Sequence, residues 1–337
     1  MKNMVALSLK YQEGVLSILN QQTLPNQVEW LVSRSPEDMI GYIRELKTRG
    51  APLIGVSASL ALAQFAEQGA SENEFRMAAL ALKEARPTAV NLMICIDRLL
   101  DYDTYDSSQV VAKAEAIFDE DVELCRKIAI HGASFLEDGD NVLTHCNTGG
   151  LATVGGGTAL GVIAEAHRQG KKIHVYVDET RPLLQGGRLT TYELQELDIP
   201  YTLICDNMAA SLMAEGKIQK AIVGADRIAL NGDFANKIGT YGVAVLCHYH
   251  KVPFYVAAPY TTVDRDCPSG REIPIEQRDP FEVKGVQGAF GKVQWAPEKG
   301  QVYNPAFDVT PAQLVSGWVL DQAAYTYQQI QDGVLKP

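Results

Sequence analysis

The chain has 337 residues, 46% of them hydrophobic and 21% charged, and a formal net charge of −11 at pH 7. Its length and composition predict a folded protein with a large core and about two domains. The acidic balance argues against a nucleic-acid binder, whose affinity comes largely from lysines and arginines on phosphates. An anionic small molecule held by a few local cations is compatible with this charge.

The sequence also predicts the cellular compartment of the protein. The N-terminus lacks the apolar core and cleavage site of a signal peptide. No apolar run reaches the roughly 18 residues that a membrane span needs. The six cysteines show neither CxxC spacing nor the density of a disulfide scaffold. We therefore expect a cytoplasmic protein that does not interact with membranes.

The first 138 residues are predicted to form a small β-meander followed by helices. Alternating apolar residues indicate strands near 4–11, 14–20 and 27–33. Ser35 and Pro36 have the residue types of an N-cap and a first helical position, and this helix is predicted to end at Thr48–Gly50. Apolar spacing of three and four predicts further helices over 51–69, 74–84, 88–102 and 108–137.

Residues 139–337 show a different pattern. Short, nearly all apolar segments alternate with helical stretches, which is typical of a Rossmann-like, doubly wound parallel sheet in an α/β protein. These segments are NVLTHC, KIHVYVD, YTLICD, KAIVGAD and PFYVAAP. Residues 264–310, rich in proline, glycine and charge, are predicted to be an ordered excursion before a last helix near 311–328.

Polar residues stand where these predicted strands end. Ligands of such sheets bind outside the carboxyl ends of the strands. The sequence places there Cys146, the stretch Asp178–Pro182, Asp206–Asn207, Asp226–Arg227 and Pro259–Thr262. A ligand site is therefore expected along this edge.

Cys146 has two interpretations. A single cysteine after a strand is commonly a small buried hydrophobic residue. However, the amides of the glycine-rich loop 147–150 and of the following helix can stabilise a thiolate or a bound anion. His145 is predicted to face away from the thiol as a packed core histidine, because adjacent strand residues point to opposite sides.

Asp226 also has two interpretations. It could cap an amide or pair with Arg227. Alternatively, its apolar surroundings could raise the pKa of its carboxyl group enough for it to donate as well as accept a proton.

No metal or cofactor motif is found. Cys247, His248 and His250 resemble a metal tract, but in a helix these positions fan around the axis instead of converging. The chain has no HExxH, GxSxG or Walker pattern, and its GGG at 155–157 is not a dinucleotide fingerprint. We therefore expect neither a metal nor a cofactor.

Seven motifs in order carry a resemblance that covers nearly the whole chain. They are RGAP at 49–52, RPTAVNL at 86–92, THCNTG at 144–149, DETRPLLQG at 178–186, GADRI at 224–228, NGDFANKIGTY at 231–241 and IPIEQRDP at 273–280. This combination resembles the methylthioribose-1-phosphate isomerase family of methionine salvage. That family is related in fold to the regulatory subunits of the guanine-exchange factor of translation initiation.

The resemblance implies an aldose–ketose isomerase that converts methylthioribose 1-phosphate to methylthioribulose 1-phosphate. Because the anomeric oxygen carries the phosphate, the sugar cannot open to a free aldehyde, and hydrogen must move from C2 to C1. Cys146 would act at C1 and C2 as base or as transition-state stabiliser, and Asp226 as general acid/base at the oxygens. An enolate route and a hydride shift both remain open.

The resemblance also implies the residues that bind the substrate, and a homodimer. The phosphate and sugar-hydroxyl ligands would be Arg49, Gly50, Ala51, Arg86, Gln185, Asn236 and Lys237. A phosphate dianion that binds so acidic a protein needs cations close to it. The alternative for Arg49 and Arg86 is a favourable interaction with the C-terminal dipole of a helix.

Two departures from the family pattern affect the substrate prediction. Gly187 stands where alanine is commoner, and residues 148–157 are unusually rich in glycine. Alternative substrates are 5-deoxyribose 1-phosphate and ribose 1,5-bisphosphate. A non-catalytic regulatory relative is a further alternative, but the presence of both Cys146 and Asp226 favours the enzyme.

Overall fold

The computed structural model describes residues 1–86, 89–289 and 291–336. Pro87 and Thr88 of the RPTAVNL motif lie outside the described residues. The chain divides into two compact units. The first contains Met1–Leu124 and Gly150–Gly156, and the second contains Cys125–Gly149 and Gly157–Pro337. The predicted domain boundary between residues 138 and 139 stays a prediction.

The first unit begins with the predicted antiparallel meander, but the single strand predicted near residues 4–11 is two strands. Its strands, which pair in chain order, are β1 (Met4–Val5), β2 (Leu9–Gln12), β3 (Val15–Leu19) and β4 (Trp30–Ser33). Glu13 and Gly14 connect β2 to β3 and both have positive φ, as a two-residue type I′ hairpin turn requires.

Helices α1–α4 and most of α5 complete the first unit. They are α1 (Pro36–Arg44), α2 (Ala51–Glu67), α3 (Glu72–Lys83), α4 (Val90–Leu100) and α5 (Ser107–Ala133). Ser35 caps α1 as predicted, since its side chain accepts a hydrogen bond from the Asp38 amide. The predicted end at Thr48–Gly50 is wrong, because α1 ends at Arg44 and Leu46 has a positive φ. Arg49 therefore does not lie in the last turn of a helix.

The second unit is built on the predicted doubly wound sheet. Its spatial order is β16-β15-β11-β8-β5-β6-β7, and only β16 is antiparallel to its neighbour. The strands are β5 (Asn141–Thr144), β6 (His174–Asp178), β7 (Tyr201–Ile204), β8 (Lys220–Val223), β11 (Phe254–Ala257), β15 (Gly317–Val319) and β16 (Ala324–Tyr325). The chain runs outward from β5 to β7 and then returns to place β8 on the other side of β5. The topological switch point therefore lies between β5 and β8.

Apolar residues of this sheet are buried on both faces. Val142, Val175 and Ile222 pack in one cluster with α6, whereas Leu143, Ala221 and Val223 pack in another with α8 and α9. The helices of this unit are α6 (Ala159–Arg168), α7 (Thr191–Glu196), α8 (Ala209–Ala214), α9 (Thr240–His250), α10 (Phe281–Lys284) and α11 (Tyr327–Gln331). No helix in the described part of the chain is long and apolar enough to cross a membrane.

Two small sheets include strands of the predicted excursion, and one of them also takes two strands from before residue 264. One has the order β14-β10-β9, and the other is a hairpin. Their strands are β9 (Arg227–Ile228), β10 (Phe234–Lys237), β12 (Gly285–Gly288), β13 (Gly291–Gln294) and β14 (Phe307–Thr310).

The predicted last helix near 311–328 is wrong. This segment contains β15, which pairs in parallel with β11, and α11 begins only at Tyr327. Trp318 of β15 is fully buried, and its indole nitrogen donates to the Gly232 carbonyl oxygen at 3.1 Å. Burial of the Trp318 ring and pairing with the sheet outweigh the helical spacing that the sequence showed.

Candidate active site

The two predicted catalytic residues follow the two strands that flank the switch point. Cys146 comes just after β5, and Asp226 comes just after β8. Because β5 and β8 are parallel neighbours, their carboxyl ends lie at the same edge of the sheet. A Cβ atom on Gly224 would lie 2.6 Å from Cγ2 of Thr148, so the segment after β8 directly contacts the loop after β5. This edge is where doubly wound folds bind ligands.

Side chains from outside β5 hold the backbone of Cys146. The strand ends at Thr144, and Cys146 adopts a φ of 73°, which is uncommon for a residue with a Cβ atom. Its amide donates to Oγ1 of Thr180 at 2.9 Å, and its carbonyl oxygen accepts from Oγ1 of Thr190 at 2.8 Å. Cys146 itself is 7% exposed.

Gln185 lies beside the thiol. Its Nε2 donates to Sγ of Cys146 at 3.4 Å, and the side chain is buried. Its Oε1 is also buried, without a hydrogen-bond partner among the described residues. Gln185 therefore contacts the sulfur and presents a buried acceptor of the kind that a sugar hydroxyl needs.

His145 is buried, as predicted, and it forms a pair with Asp178. Its Nδ1 lies 2.9 Å from Oδ2 of Asp178, and its Nε2 lies 2.9 Å from the carbonyl oxygen of Ile238. A carbonyl oxygen only accepts, so Nε2 carries a proton and donates it. Burial lowers the pKa of His145, but the hydrogen bond and the charge of Asp178 outweigh it and raise that pKa to about 9. The pair therefore holds its shared proton at neutral pH.

His145, Asp178 and Asp206 are close enough together to be considered as metal ligands. One ligand atom from each lies within 4.8 Å of the others. However, both nitrogens of His145 are engaged, and the two oxygens of Asp206 accept from the amides of Thr180 and Arg181 at 2.7 Å each. A metal would have to displace the bonds of His145, so the described contacts form a hydrogen-bond network, in which Oδ1 of Asp178 is buried with no partner among the described residues.

The tract Cys247–His250 lies in a helix, α9. Cys247 is fully buried and His248 is exposed, so their side chains diverge.

Asp226 is held by backbone pairing. Its amide donates to the carbonyl oxygen of Ala235 at 2.9 Å, and the chain continues at once into β9, which pairs with β10. The Asp226 side chain is half-buried. Arg227 forms an ion pair with Asp264, at 3.0 Å between Nη1 and Oδ2.

Asn236 and Lys237 lie on β10, so the same small sheet carries them and the segment after Asp226. Nδ2 of the buried Asn236 donates to Oγ1 of Thr240 at 2.9 Å. Nζ of Lys237 donates to the Ala306 carbonyl oxygen at 2.7 Å and lies 4.5 Å from the centre of the Phe307 ring.

The remaining predicted ligand residues belong to the first unit. Arg49 and Arg86 are half-buried, and Ala51 is the first residue of α2. Gly50 is the N-cap of α2 with a φ of 98°. A Cβ atom on Gly50 would lie 2.5 Å from Cα of Ala152, so only glycine fits between α2 and the segment 150–156.

Close packing explains much of the glycine-rich loop after Cys146. A Cβ on Gly149 would lie 2.2 Å from Oε2 of Glu193, and one on Gly157 would lie 2.4 Å from Cα of Gly149. By contrast, Gly156 has nothing within 4 Å of its Cβ position. A Cβ on Gly187 would make its closest contact at 3.7 Å, so the alanine that is commoner there would fit this backbone.

The start of α6 is capped by the same loop. Oγ1 of Thr148 accepts from the Leu160 amide at 3.2 Å, and the Thr148 carbonyl oxygen accepts from the Thr158 amide at 2.8 Å. Part of the helix start that was predicted to stabilise an anion is thus bonded to the protein itself.

Several residues that support this site had no role predicted from the sequence. Thr180 and Thr190 hold the Cys146 backbone, and Glu193 accepts from Nδ2 of Asn147 at 2.7 Å. Thr180 stands within the DETRPLLQG motif, but neither spacing nor residue type indicates that its hydroxyl group reaches across to another strand end.

The chain is a member of the Initiation factor 2 subunit family. The model of the Initiation factor 2 subunit family matches residues 47–326. A curated methylthioribose-1-phosphate isomerase from Yersinia pestis (strain Pestoides F) is 59% identical over 332 residues, which cover 98% of this chain and 96% of the relative. The chain therefore belongs to the methylthioribose-1-phosphate isomerase family, which confirms the resemblance of the seven motifs.

Two solved structures have the same fold. The crystal structure of 5-methylthioribose 1-phosphate isomerase from Pyrococcus horikoshii OT3 has a TM-score of 0.88 and 37% identity, covering 98% of this chain and 95% of that one. The structure described as translation initiation factor eIF-2B, subunit delta, from A. fulgidus has a TM-score of 0.85 and 40% identity, covering 98% and 99%.

Proposed function

We propose that this protein converts methylthioribose 1-phosphate to methylthioribulose 1-phosphate, as the names of its relatives suggest. One observation carries the site assignment: Cys146 and Asp226 follow the two strands that flank the switch point. Gln185 supports it, since its amide donates to the sulfur while its buried Oε1 keeps an acceptor for a ligand.

In this mechanism Cys146 acts at C1 and C2 of the sugar, and Asp226 acts at the oxygens. The Gln185 amide favours negative charge on the sulfur, which suits a base or a group that stabilises a polar transition state. Asp226 is half-buried and is fixed by the pairing next to it, so its carboxyl group can pass a proton to the ring oxygen as the ring opens.

We assign the phosphate and the hydroxyl groups of the sugar to the remaining motif residues. Arg49, the Gly50–Ala51 backbone and Arg86 would bind the phosphate. Asn236 and Lys237 would bind sugar oxygens, with the Lys237 ammonium also offsetting phosphate charge. The net charge of −11 supports this division, because a dianion needs local cations in so acidic a protein.

The test is turnover by the purified protein without added metal or nicotinamide. We expect the ketose product from wild type, and a loss of about 10²–10⁴-fold in kcat for Cys146→Ser and for Asp226→Asn. Cys247→Ser is the matched control, because Cys247 is a buried cysteine of α9 with no part in the proposed site. Its kcat should stay close to wild type.

Two outcomes would contradict parts of this proposal. Folded wild-type protein that does not turn over methylthioribose 1-phosphate would refute the substrate. Comparing 5-deoxyribose 1-phosphate and ribose 1,5-bisphosphate in the same assay would then identify a different sugar. Wild-type rates in Cys146→Ser or Asp226→Asn would refute the site assignment instead.

A regulatory role is the second candidate, favoured by the similarity to the structure described as an initiation-factor subunit. No turnover of any of the three sugars would support it. A homodimer and a cytoplasmic location are further parts of the proposal. Light scattering tests the dimer.

A further inference from the structure

Two residues with left-handed backbones are bonded to each other at the ends of β5 and β6. Cys146 has a φ of 73° and Thr180 a φ of 63°. The amide of Cys146 donates to Oγ1 of Thr180 at 2.9 Å. A β-branched residue in this region of φ is a true outlier, and such backbones persist only where the surroundings impose them.

A second hydrogen bond determines that Thr180 is the acceptor and Cys146 the donor in this contact. Oγ1 of Thr180 lies 3.0 Å from the carbonyl oxygen of Asp178, which can only accept. The single hydroxyl hydrogen of Thr180 therefore points at Asp178, and its lone pairs face the Cys146 amide. Thr180 is fully buried, so water does not substitute for either bond.

Thr180 is itself held from two sides. Its amide donates to Oδ1 of Asp206 at 2.7 Å. Asp178, two residues earlier, is bonded to His145, which directly precedes Cys146. The ring of contacts from His145 through Asp178 and Thr180 back to Cys146 is thus closed, and it ties the end of β5 to the end of β6.

This ring fixes the direction of the thiol. With its amide held by Thr180 and its carbonyl by Thr190, Cys146 is oriented so that Sγ lies 3.4 Å from Nε2 of Gln185. Without the Thr180 hydroxyl group, a buried amide would lose its acceptor, and Cys146 would be free to relax toward a commoner φ.

We propose that Thr180 is a positioning residue for the isomerase reaction: its hydroxyl group imposes the left-handed backbone of Cys146 and thereby aims the thiol at the substrate. The proposal rests on the proposed role of Cys146. Thr180 does not touch the reacting atoms in this proposal, so its removal should affect kcat much more than KM.

The test compares Thr180→Val, Thr180→Ser and Thr191→Val in steady-state kinetics with methylthioribose 1-phosphate. Valine keeps the shape and removes the hydroxyl group, whereas serine keeps the hydroxyl group. Thr191 is the matched control, because it is a buried threonine whose Oγ1 donates to the Gly187 carbonyl oxygen at 2.6 Å and not to the backbone of Cys146.

We expect kcat of Thr180→Val to fall by roughly tenfold to a hundredfold with KM within about twofold of wild type, because a misplacement of about 1 Å can cost about 10²-fold. Thr180→Ser and Thr191→Val should stay within about threefold of wild type. If Thr180→Val does not fold, Thr180→Ala replaces it, because alanine adopts a positive φ more easily than a β-branched residue.

The outcomes separate this proposal from the assignment of the site. If Cys146→Ser is inactive and folded Thr180→Val keeps wild-type kcat, the positioning role is refuted while the site stands. Equal losses of kcat in Thr180→Val and Thr191→Val would also refute it, since the effect would then follow from removing any buried threonine hydroxyl group. If Cys146→Ser is fully active, the site assignment fails first and Thr180 has no thiol to position.

Discussion

The ends of β5 and β8 carry the two proposed catalytic residues but hold them in different ways. After β5, the backbone of Cys146 has a φ of 73° and is bonded to two threonine side chains. After β8, Asp226 is bonded through its own amide to Ala235 and continues into a regular ladder between β9 and β10. The backbone of Cys146 is held by side chains of other elements, and the backbone of Asp226 by pairing within a sheet.

This difference predicts which of the two regions is more sensitive to substitution. A ladder tolerates side-chain changes, because its bonds come from the backbone. A network of side chains and unusual backbones depends on particular atoms at particular distances. We therefore expect the region around Cys146 to be much more sensitive than the region around Asp226 to substitutions that avoid both catalytic residues.

The largest expected effect is at Gly186, in the segment that leads from β6 to α7. A Cβ atom there would lie 1.8 Å from the Asp178 carbonyl oxygen, which is part of the network around Thr180. We expect Gly186→Ala to lower the free energy of unfolding by about 3 kcal/mol, because backbone has to move. Gly187→Ala is the neighbouring control, with a nearest contact of 3.7 Å.

Chemical denaturation of both variants measures this effect. Equal free energies of unfolding for Gly186→Ala and wild type would show that this backbone moves at little cost. The end of β5 would then not be more sensitive to substitution than the end of β8.

The second prediction concerns the pH dependence of stability. Burial lowers the pKa of His145, but its bond to Asp178 outweighs burial, so the pKa is about 9 in the folded protein against 6.5 for the ordinary imidazole. The folded state therefore keeps a proton that the unfolded state has lost. This contribution is complete below pH 6.5 and is lost progressively up to about pH 9, by at most about 1.4 kcal/mol per pH unit.

Asp178→Asn separates this contribution from other titrations. The side-chain amide introduced by this substitution would donate to a neutral His145, so the fall in stability between pH 6.5 and about pH 9 should be smaller than in wild type. Denaturation curves at several pH values in that range measure the difference. Parallel curves for the two proteins would mean that the pair does not hold an extra proton.

The smallest effect is expected beside Asp226. Asp264→Asn removes the charge that pairs with Arg227 at 3.0 Å. We expect a loss of about 1 kcal/mol in stability, as for a single partly exposed ion pair, and kcat within about twofold of wild type, because the ladder still holds Asp226. A tenfold loss of kcat would show that side chains position Asp226 as well.

Local patterns were sufficient for much of the fold. The N-cap at Ser35, the meander before it and five of the parallel strands after residue 139 were predicted, because capping and alternation depend on neighbours in sequence. The segment 311–328 was predicted wrongly as a helix. This segment forms a strand because it pairs with β11 and buries Trp318. A local sequence pattern shows neither contact.

For the candidate site, the sequence predicted which residues stand at strand ends, and the motifs predicted the family. It did not predict that Thr180 would reach the amide of Cys146 or that His145 would share a proton with Asp178. These contacts join residues more than thirty positions apart. Only the parallel pairing of β5 with β6 brings them together.

By itself, the sequence determined the family, the five parallel strands from residue 141 to residue 257 and the identity of Cys146 and Asp226 as candidates, since these depend on residue type and spacing. The tertiary structure alone decided the switch point between β5 and β8 and the left-handed backbone of Cys146. It also decided which glycines have no room for a Cβ atom. The physical reason is that strand order and close contacts are set by packing between distant segments, which local preferences do not encode.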